Sequence, residues 1–272
     1  MKLGISTYTF TWAIGVQGHM PEKPLSIYGL IDKAAAYKVD CVQVADNLPL
    51  HLFDSTELQS IKRHADNLNI QIEVGTRGLT VSHILQYLKI AKLFESPFLR
   101  VVIDAKDYHP SLPDIIKVLR ELVPVFEKEK VILSIENHDR LLAEEFNHII
   151  HTVDSEYLGI CLDSVNSMGA GEGFRQVANM LIPYTVNLHI KDFSIKRVFH
   201  MMGLEILGTP AGKGMMNIPE VLTQLAKYRK CQSATLELWT PQQATIQETV
   251  MLEQQWADES ISYLKNTIYK YS

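Results

Sequence analysis

The chain has 272 residues, of which 46% are hydrophobic, and carries a formal net charge of −5 at pH 7 with histidine neutral. This size suits one large domain, and the negative charge disfavours nucleic acid as a partner. The three cysteines form no CxxC pair, and no run reaches the roughly 18 apolar residues of a membrane span, so we expect a reduced, cytoplasmic protein without a membrane partner.

Short apolar runs alternate with helical patterns along the whole chain. The predicted strands are Lys2–Thr7, Cys41–Ala45, Ile70–Val74, Phe98–Ile103, Val131–Glu136, Leu158–Asp163, Thr185–Ile190 and Ala234–Leu238. The predicted helices are Leu25–Tyr37, Ser55–Asn67, Val81–Phe94, Leu112–Glu129, Leu141–Val153, Gly173–Leu181, Ile218–Tyr228 and Ile246–Ile268. Parallel strands need crossover helices, so this alternation predicts a single (β/α)8 TIM barrel domain over residues 1–272. An open doubly wound sheet is the alternative, which the lack of a Gly-rich turn after the first strand disfavours.

Two connecting segments are longer than a barrel requires, namely Tyr8–Pro24 and Asp192–Asn217. Both follow strands, so we expect them on the face where the strands end, where long loops usually cover or shape a site. The second contains Gly212-Lys213-Gly214, which lacks the rest of a phosphate loop and is interpreted as a mobile loop. The C-terminal helix, with Trp256, Tyr263 and Tyr269, is expected to pack on its own barrel.

Four residues with metal-ligand chemistry each close a predicted strand: Glu136, Asp163, His189 and Glu237. The first three lie 27 and 26 residues apart (163−136 and 189−163), about one strand-helix-strand unit. Because parallel strands end on one face, the four side chains are expected to converge. Three carboxylates and an imidazole suit Mn²⁺, Mg²⁺, Zn²⁺ or Co²⁺. Without a cation such a cluster would repel itself. Taken singly, each residue could equally cap a helix or fill a structural role.

Polar and aromatic residues near these strand ends are candidates for substrate binding. They are His138, Asn166, Lys191, Arg197 and Trp239. Lys191 and Arg197 are the candidate anion contacts, and Trp239 is a candidate stacking wall for a sugar or a core residue. Asp46 and Glu73, near the ends of the second and third strands, are also able to reach the site.

The order Glu, Asp, His, Glu on the last four strands resembles the xylose isomerase-like TIM barrel superfamily of sugar isomerases, epimerases and related lyases. The resemblance covers nearly the whole chain. It implies that Glu136, Asp163, His189 and Glu237 bind one divalent metal ion. It also implies that Glu136 and Glu237 are catalytic, because in the epimerase branch the two glutamates exchange protons with the substrate.

Two features depart from the epimerase branch, which commonly has histidine where this chain has Asn166 and a substrate-binding arginine closer to the histidine ligand than Arg197. Several segments instead resemble the 3-oxo-isoapionate decarboxylase branch. They are Gly4–Tyr8 with Trp12–Val16, Ala45–Leu50, Gly208–Gly212 and Glu237–Pro241. This resemblance implies a carbohydrate lyase that decarboxylates a 3-oxo sugar acid.

Both reactions share one chemistry, in which a cation polarises a carbonyl and stabilises an enediolate formed as CO₂ or a proton leaves. We therefore predict a metal-dependent enzyme of small sugars or sugar acids, a carboxy-lyase or alternatively a ketose isomerase or epimerase. Two remote alternatives are an AP-endonuclease-like DNA repair nuclease, which needs more histidines and a basic groove, and a non-catalytic sugar-binding barrel. The sequence leaves the substrate, the metal and the oligomeric state open.

Overall fold

Eight parallel strands close into a barrel in the computed structural model, which describes residues 1–270. The barrel strands are β1 (Lys2–Ser6), β2 (Cys41–Val44), β3 (Gln71–Arg77), β4 (Phe98–Val102), β5 (Ile132–Glu136), β6 (Leu158–Asp163), β7 (Thr185–Ile190) and β10 (Ser233–Leu236), while β8 (Phe193–Arg197) and β9 (Leu204–Gly208) form a separate two-stranded sheet. The first seven strands neighbour one another in chain order, and β10 closes the barrel between β7 and β1. The predicted (β/α)8 barrel is confirmed.

Helices follow the strands around the outside of the barrel. They are α1 (Thr11–Ile14), α2 (Ile27–Tyr37), α3 (Ser55–Asn67), α4 (Val81–Leu93), α5 (Leu112–Glu129), α6 (Ala143–Val153), α7 (Phe174–Leu181), α8 (Ile218–Tyr228) and α9 (Ile246–Ile268). Four of them, α3, α5, α8 and α9, have the predicted bounds. Their N-terminal caps explain this precision, because the side chains of Asp54, Ser111, Asn217 and Thr245 accept backbone N–H groups of the first turn.

The C-terminal helix packs on its own barrel, as expected. Ala257, Ile261, Leu264 and Ile268 of α9 are buried in the apolar core between the helices and the strands. Within residues 1–270, no helix is both long enough and apolar enough to cross a membrane.

The interior of the barrel is polar just below the ends of the strands. Asn187 donates to Ser233 Oγ at 2.9 Å and to Thr235 Oγ1 at 3.2 Å, and its own Oδ1 accepts from Gln43 Nε2 at 3.0 Å. These buried amides satisfy one another, as buried polar groups must. They form a rigid floor beneath the site described below.

The two long segments both contain regular structure. Tyr8–Pro24 begins with a 3-10 helix (Thr7–Phe10) that leads into α1, and Asp192–Asn217 contains the antiparallel hairpin β8–β9. Gly212–Gly214 is a loop, as predicted, and it is anchored by hydrogen bonds. The buried carboxylate of Asp192 accepts the N–H groups of Gly212, Gly214 and Met216 at 2.8, 2.9 and 3.0 Å and ties this loop to the end of β7.

Candidate active site

Four buried side chains meet at the C-terminal end of the barrel. Glu136 and Asp163 end β5 and β6, His189 lies near the end of β7, and Glu237 follows β10, where its N–H continues the strand ladder to Ile190. His189 Nδ1 lies 3.4 Å from Glu136 Oε2, 3.6 Å from Asp163 Oδ2 and 3.5 Å from Glu237 Oε1. The structure therefore brings the four predicted ligands together around one imidazole nitrogen.

Gln43 fixes the orientation of this imidazole. Its Oε1 lies 2.6 Å from His189 Nε2, while its Nε2 donates to Asn187. An amide oxygen can only accept, so Nε2 of His189 carries a proton, and Nδ1 is the nitrogen that faces the carboxylates and would bind a cation in its deprotonated form. Metal-ligating histidines are held in this way by a partner on the second nitrogen.

Three atoms of the cluster are buried without a hydrogen-bond partner: Asp163 Oδ2, His189 Nδ1 and Glu237 Oε2. The Lys191 ammonium forms ion pairs with the two carboxylate atoms, at 2.8 Å from Asp163 Oδ2 and 2.9 Å from Glu237 Oε2. The ligand atoms of Asp163, His189 and Glu237 lie within 4.8 Å of one another, as do those of Glu136, Cys161 and His189. Orphaned oxygen and nitrogen donors at this spacing fit a divalent cation.

The charges of the cluster stabilise one another. Burial alone would raise the carboxylate pKa values, but Lys191 and His189 outweigh it and hold the pKa of Asp163 and of Glu237 below their usual range. Burial would likewise lower the pKa of His189 and of Lys191, yet the surrounding carboxylates raise both. The carboxylates are therefore ionised at neutral pH and available as ligands.

Arg100 on β4 is a part of the site that the sequence analysis missed. It is only 2% exposed, donates through Nε to Glu136 Oε2 and lies 3.2 Å from Asp46 Oδ1. The other oxygen of Glu136 accepts from Asn166 Nδ2 at 2.8 Å. An arginine inside a buried apolar strand was the available signal, because arginine is almost never buried without a partner.

A cavity of about 450 Å³ opens in front of the cluster. Its lining includes the predicted contacts His138, Asn166, Lys191 and Trp239, together with Tyr8, Trp12, Arg77, Arg100 and Glu136. The segment after β1 therefore contributes to the site face, as expected. Glu73 is not among the lining residues, since it lies in the barrel interior with Gln43.

Arg197 requires a correction. It lies on the exposed strand β8, its guanidinium donates to the carbonyl of Met201 at 3.1 Å, and it is not among the residues that line the cavity. The cause is the hairpin, which carries Arg197 outward instead of over the barrel. Arg77, at the end of β3, supplies a cation at the cavity: its Nε lies 3.1 Å from Asp46 Oδ2 and its Nη2 3.4 Å from His138 Nε2.

Comparison with known proteins identifies the family. Residues 31–267 match the model of the xylose isomerase-like TIM barrel family. The chain belongs to this family. The resemblance drawn from the four strand-end residues is therefore confirmed.

One curated protein and several solved structures are similar to this chain. The chain is 29% identical over 264 residues to a curated 3-oxo-isoapionate decarboxylase of Pectobacterium atrosepticum, covering 97% of this chain and 95% of that protein. The structure of D-psicose 3-epimerase with D-tagatose from Clostridium cellulolyticum H10 is similar with a TM-score of 0.73 and 16% identity, over 99% of both chains. A xylose isomerase-like protein from Mycobacterium smegmatis in complex with magnesium has a TM-score of 0.70 and 12% identity, over 97% of both chains.

Proposed function

We propose that this protein is a divalent-metal-dependent carboxy-lyase that converts a 3-oxo sugar acid, 3-oxo-isoapionate, to a tetrulose and CO₂. The relative at 29% identity carries that name and aligns over nearly the whole chain. The single observation that carries the proposal is the charge of the pocket, which is complementary to an acid.

Seven charged side chains line the cavity or form ion pairs with residues that line it: Arg77, Arg100, Lys191, Asp46, Glu136, Asp163 and Glu237. These are three cations and four carboxylates, so a bound divalent cation would leave the pocket with one net positive charge. A monoanionic sugar acid would neutralise that charge, whereas a neutral ketose would leave it uncompensated in a largely buried site.

Glu136, Asp163, His189 and Glu237 are the residues that would hold the cation. When bound, a divalent cation supplies Lewis-acid stabilisation of the negative charge that develops on the carbonyl oxygen of the substrate. Mn²⁺, Mg²⁺, Zn²⁺ and Co²⁺ all suit this donor set.

The substrate carboxylate would be bound by Arg77, with His138 beside it. Arg77 pairs with Asp46 through Nε but is the most accessible of the cavity cations, with a side chain 35% exposed against 3% for Arg100 and 11% for Lys191. Trp12 and Trp239 line the cavity and would limit the access of water, and Asn166 and Lys191 remain candidate contacts for hydroxyl groups.

Decarboxylation breaks the bond between the carboxylate carbon and its neighbour, and the electron pair passes to the 3-oxo group. A proton from solvent then adds to the neighbouring carbon, from which the carboxylate has left. Of the two candidate catalytic glutamates, we assign this step to Glu237, whose Oε1 accepts from Ser6 Oγ at 3.0 Å and whose Oε2 lies 2.9 Å from the Lys191 ammonium at the cavity. It would relay the proton directly or through water.

Ketose epimerisation or isomerisation is the second candidate, and the two glutamates in one site are the observation that favours it. Such a reaction needs one group to remove a carbon-bound proton and another to return one. Both oxygens of Glu136 are held by Arg100 and Asn166, which makes it a poorer proton carrier. Among residues 1–270, both candidate metal groups contain the same histidine, His189, which gives a multi-zinc nuclease no support.

Incubation of the metal-loaded enzyme with 3-oxo-isoapionate and, separately, with a panel of ketoses tests the proposal. We expect release of CO₂ together with a tetrulose, and no conversion of the ketoses. Interconversion of ketoses without CO₂ would establish the epimerase or isomerase instead.

A further inference from the structure

The hairpin β8–β9 presents an unusual amount of apolar side chain to solvent. Phe199 at its tip is 96% exposed and Met202 is 87% exposed. The hairpin patch, as we call it, consists of Ile195, Phe199, Met201, Met202, Leu204, Ile206 and Met215, all of which are exposed large hydrophobic residues.

The area of the hairpin patch is large for a free surface. With about 180 Å² for a fully exposed large apolar side chain, the seven residues expose on the order of 800 Å². The largest apolar patch of a typical monomer is roughly 300–600 Å². A stable dimer buries about 800 Å² on each partner, so the patch alone has the size of one side of a standard interface.

An apolar groove continues this patch. A cavity of about 470 Å³ is lined by Phe174, Ala178, Phe193, Ile195, Met215 and Val221, among others. In the hairpin Ile195 pairs with Ile206 and Arg197 with Leu204, so Ile195, Ile206 and Leu204 share the face of the sheet that also carries Phe193. One side of the hairpin therefore forms a wall of the groove. The same side extends outward to the Phe199 tip as an apolar ridge.

We propose that a second copy of this chain covers the hairpin patch in a two-fold symmetric dimer, with the Phe199 tip of each copy in the groove of the other. A two-fold interface must be self-complementary, which requires a ridge and a groove on the same surface. Phenylalanine and methionine, which dominate this patch, are enriched in such interfaces.

The charges around the hairpin patch also suit a second copy. Lys196 lies directly opposite Glu205 in the hairpin, and Arg175 and Glu220 lie together at the groove. Both signs occur, so a two-fold rotation can bring opposite charges of the two copies together, whereas a patch of a single sign would repel its own copy.

The position of the hairpin connects this interface to the active site. A Cβ on Gly208, at the base of β9, would lie 2.3 Å from the carbonyl oxygen of Trp239, so the hairpin packs directly on the residue that lines the substrate cavity. The partner copy would therefore lie beside the mouth of the pocket.

Sedimentation equilibrium over a range of concentrations tests the proposal on the full chain. We expect a mass of twice 30.9 kDa for the wild type, and 30.9 kDa for the double variant Phe199→Ser/Met202→Ser at the same concentrations. Met251→Ser is the matched control, since Met251 is 71% exposed but lies on α9, and it should leave the dimer intact.

Circular dichroism and thermal unfolding establish that each variant is folded, and Leu204→Glu provides a second disruption of the same patch. A wild type that stays monomeric at every concentration would overturn the proposal. This holds also if the monomer binds lipid vesicles or another protein through the hairpin. A dimer that survives both hairpin variants would overturn it as well.

Discussion

Arg100 and Asn166 distinguish the two glutamates of the site. They donate to both oxygens of Glu136, whereas the two oxygens of Glu237 face Ser6 Oγ and the Lys191 ammonium. We predict that Glu237→Gln lowers kcat by about 100- to 10,000-fold even at saturating metal, because the amide cannot carry the proton. Steady-state kinetics with 3-oxo-isoapionate measure this change.

Glu136→Gln provides the comparison. We expect it to abolish turnover as well, but through the loss of a metal ligand, which the metal content of the purified variant would report. Far-ultraviolet circular dichroism should find both variants folded. Full activity in either variant would show that its assigned role is wrong.

Arg77 is the residue on which recognition of an acid depends. Arg77→Gln should raise KM for the sugar acid by about 10- to 100-fold, because a hydrogen bond to a charged group contributes roughly 1.5–3 kcal/mol. The affinity for the metal should not change. Arg63→Gln, on the exposed surface of α3, is the control and should leave KM unchanged. An unaltered KM in Arg77→Gln would remove this residue from the substrate site.

The convergence of the four candidate ligands was predictable from the sequence because the topology alone brings the ends of parallel strands to one face. The positions of the Arg77 and Arg100 guanidinium groups were not predictable in this way. Arg77 and Arg100 reach the cavity from inside two strands, and which side of a strand faces the barrel interior depends on the register. Arg197 was assigned because it lies in the long segment expected on the site face, and that placement does not give the direction of the hairpin which this segment forms.

The short helix α1 is held by a buried carboxylate on α9. Glu253 accepts the N–H groups of Trp12 and Ala13 at 2.9 Å each, and Trp12 also donates through Nε1 to the carbonyl of Thr240 at 2.8 Å. Glu253 thus positions a wall of the cavity. Burial raises its pKa to about 7 from the ordinary 4.5.

This raised pKa predicts a pH dependence of stability. Between pH 4.5 and about 7 the folded protein retains a proton that the unfolded chain releases, so the free energy of unfolding falls as the pH rises through this interval. Glu253→Gln should flatten the dependence by up to about 3 kcal/mol between pH 4.5 and 7. Urea unfolding of both proteins at several pH values measures this difference. Parallel profiles would contradict the assignment.

The hairpin shows why one element escaped prediction. Its alternating residues, such as Phe193, Ile195 and Arg197, have the period of a strand, but methionine and glycine around them are typical of loops. The helices were easier, because their capping residues and apolar faces agree with each other.

The barrel follows from the sequence because every level points to it: strand-length apolar runs, helical crossovers and strict alternation. The charge of the pocket does not follow from the net charge of −5. It arises from seven side chains that are far apart in the chain and meet only in the folded protein. The hairpin patch likewise forms only in the folded protein, where its apolar side chains come together.

The central claim is that Glu136, Asp163, His189 and Glu237 bind one divalent cation. Elemental analysis by mass spectrometry, after dialysis against metal-free buffer and reloading, tests it most directly. We predict one equivalent of metal per 30.9 kDa chain, its loss in His189→Ala, and about 10- to 100-fold weaker binding in Gln43→Leu, which leaves the imidazole without its partner. Wild-type protein that retains none of the four candidate metals, or His189→Ala that retains a full equivalent, would contradict the account.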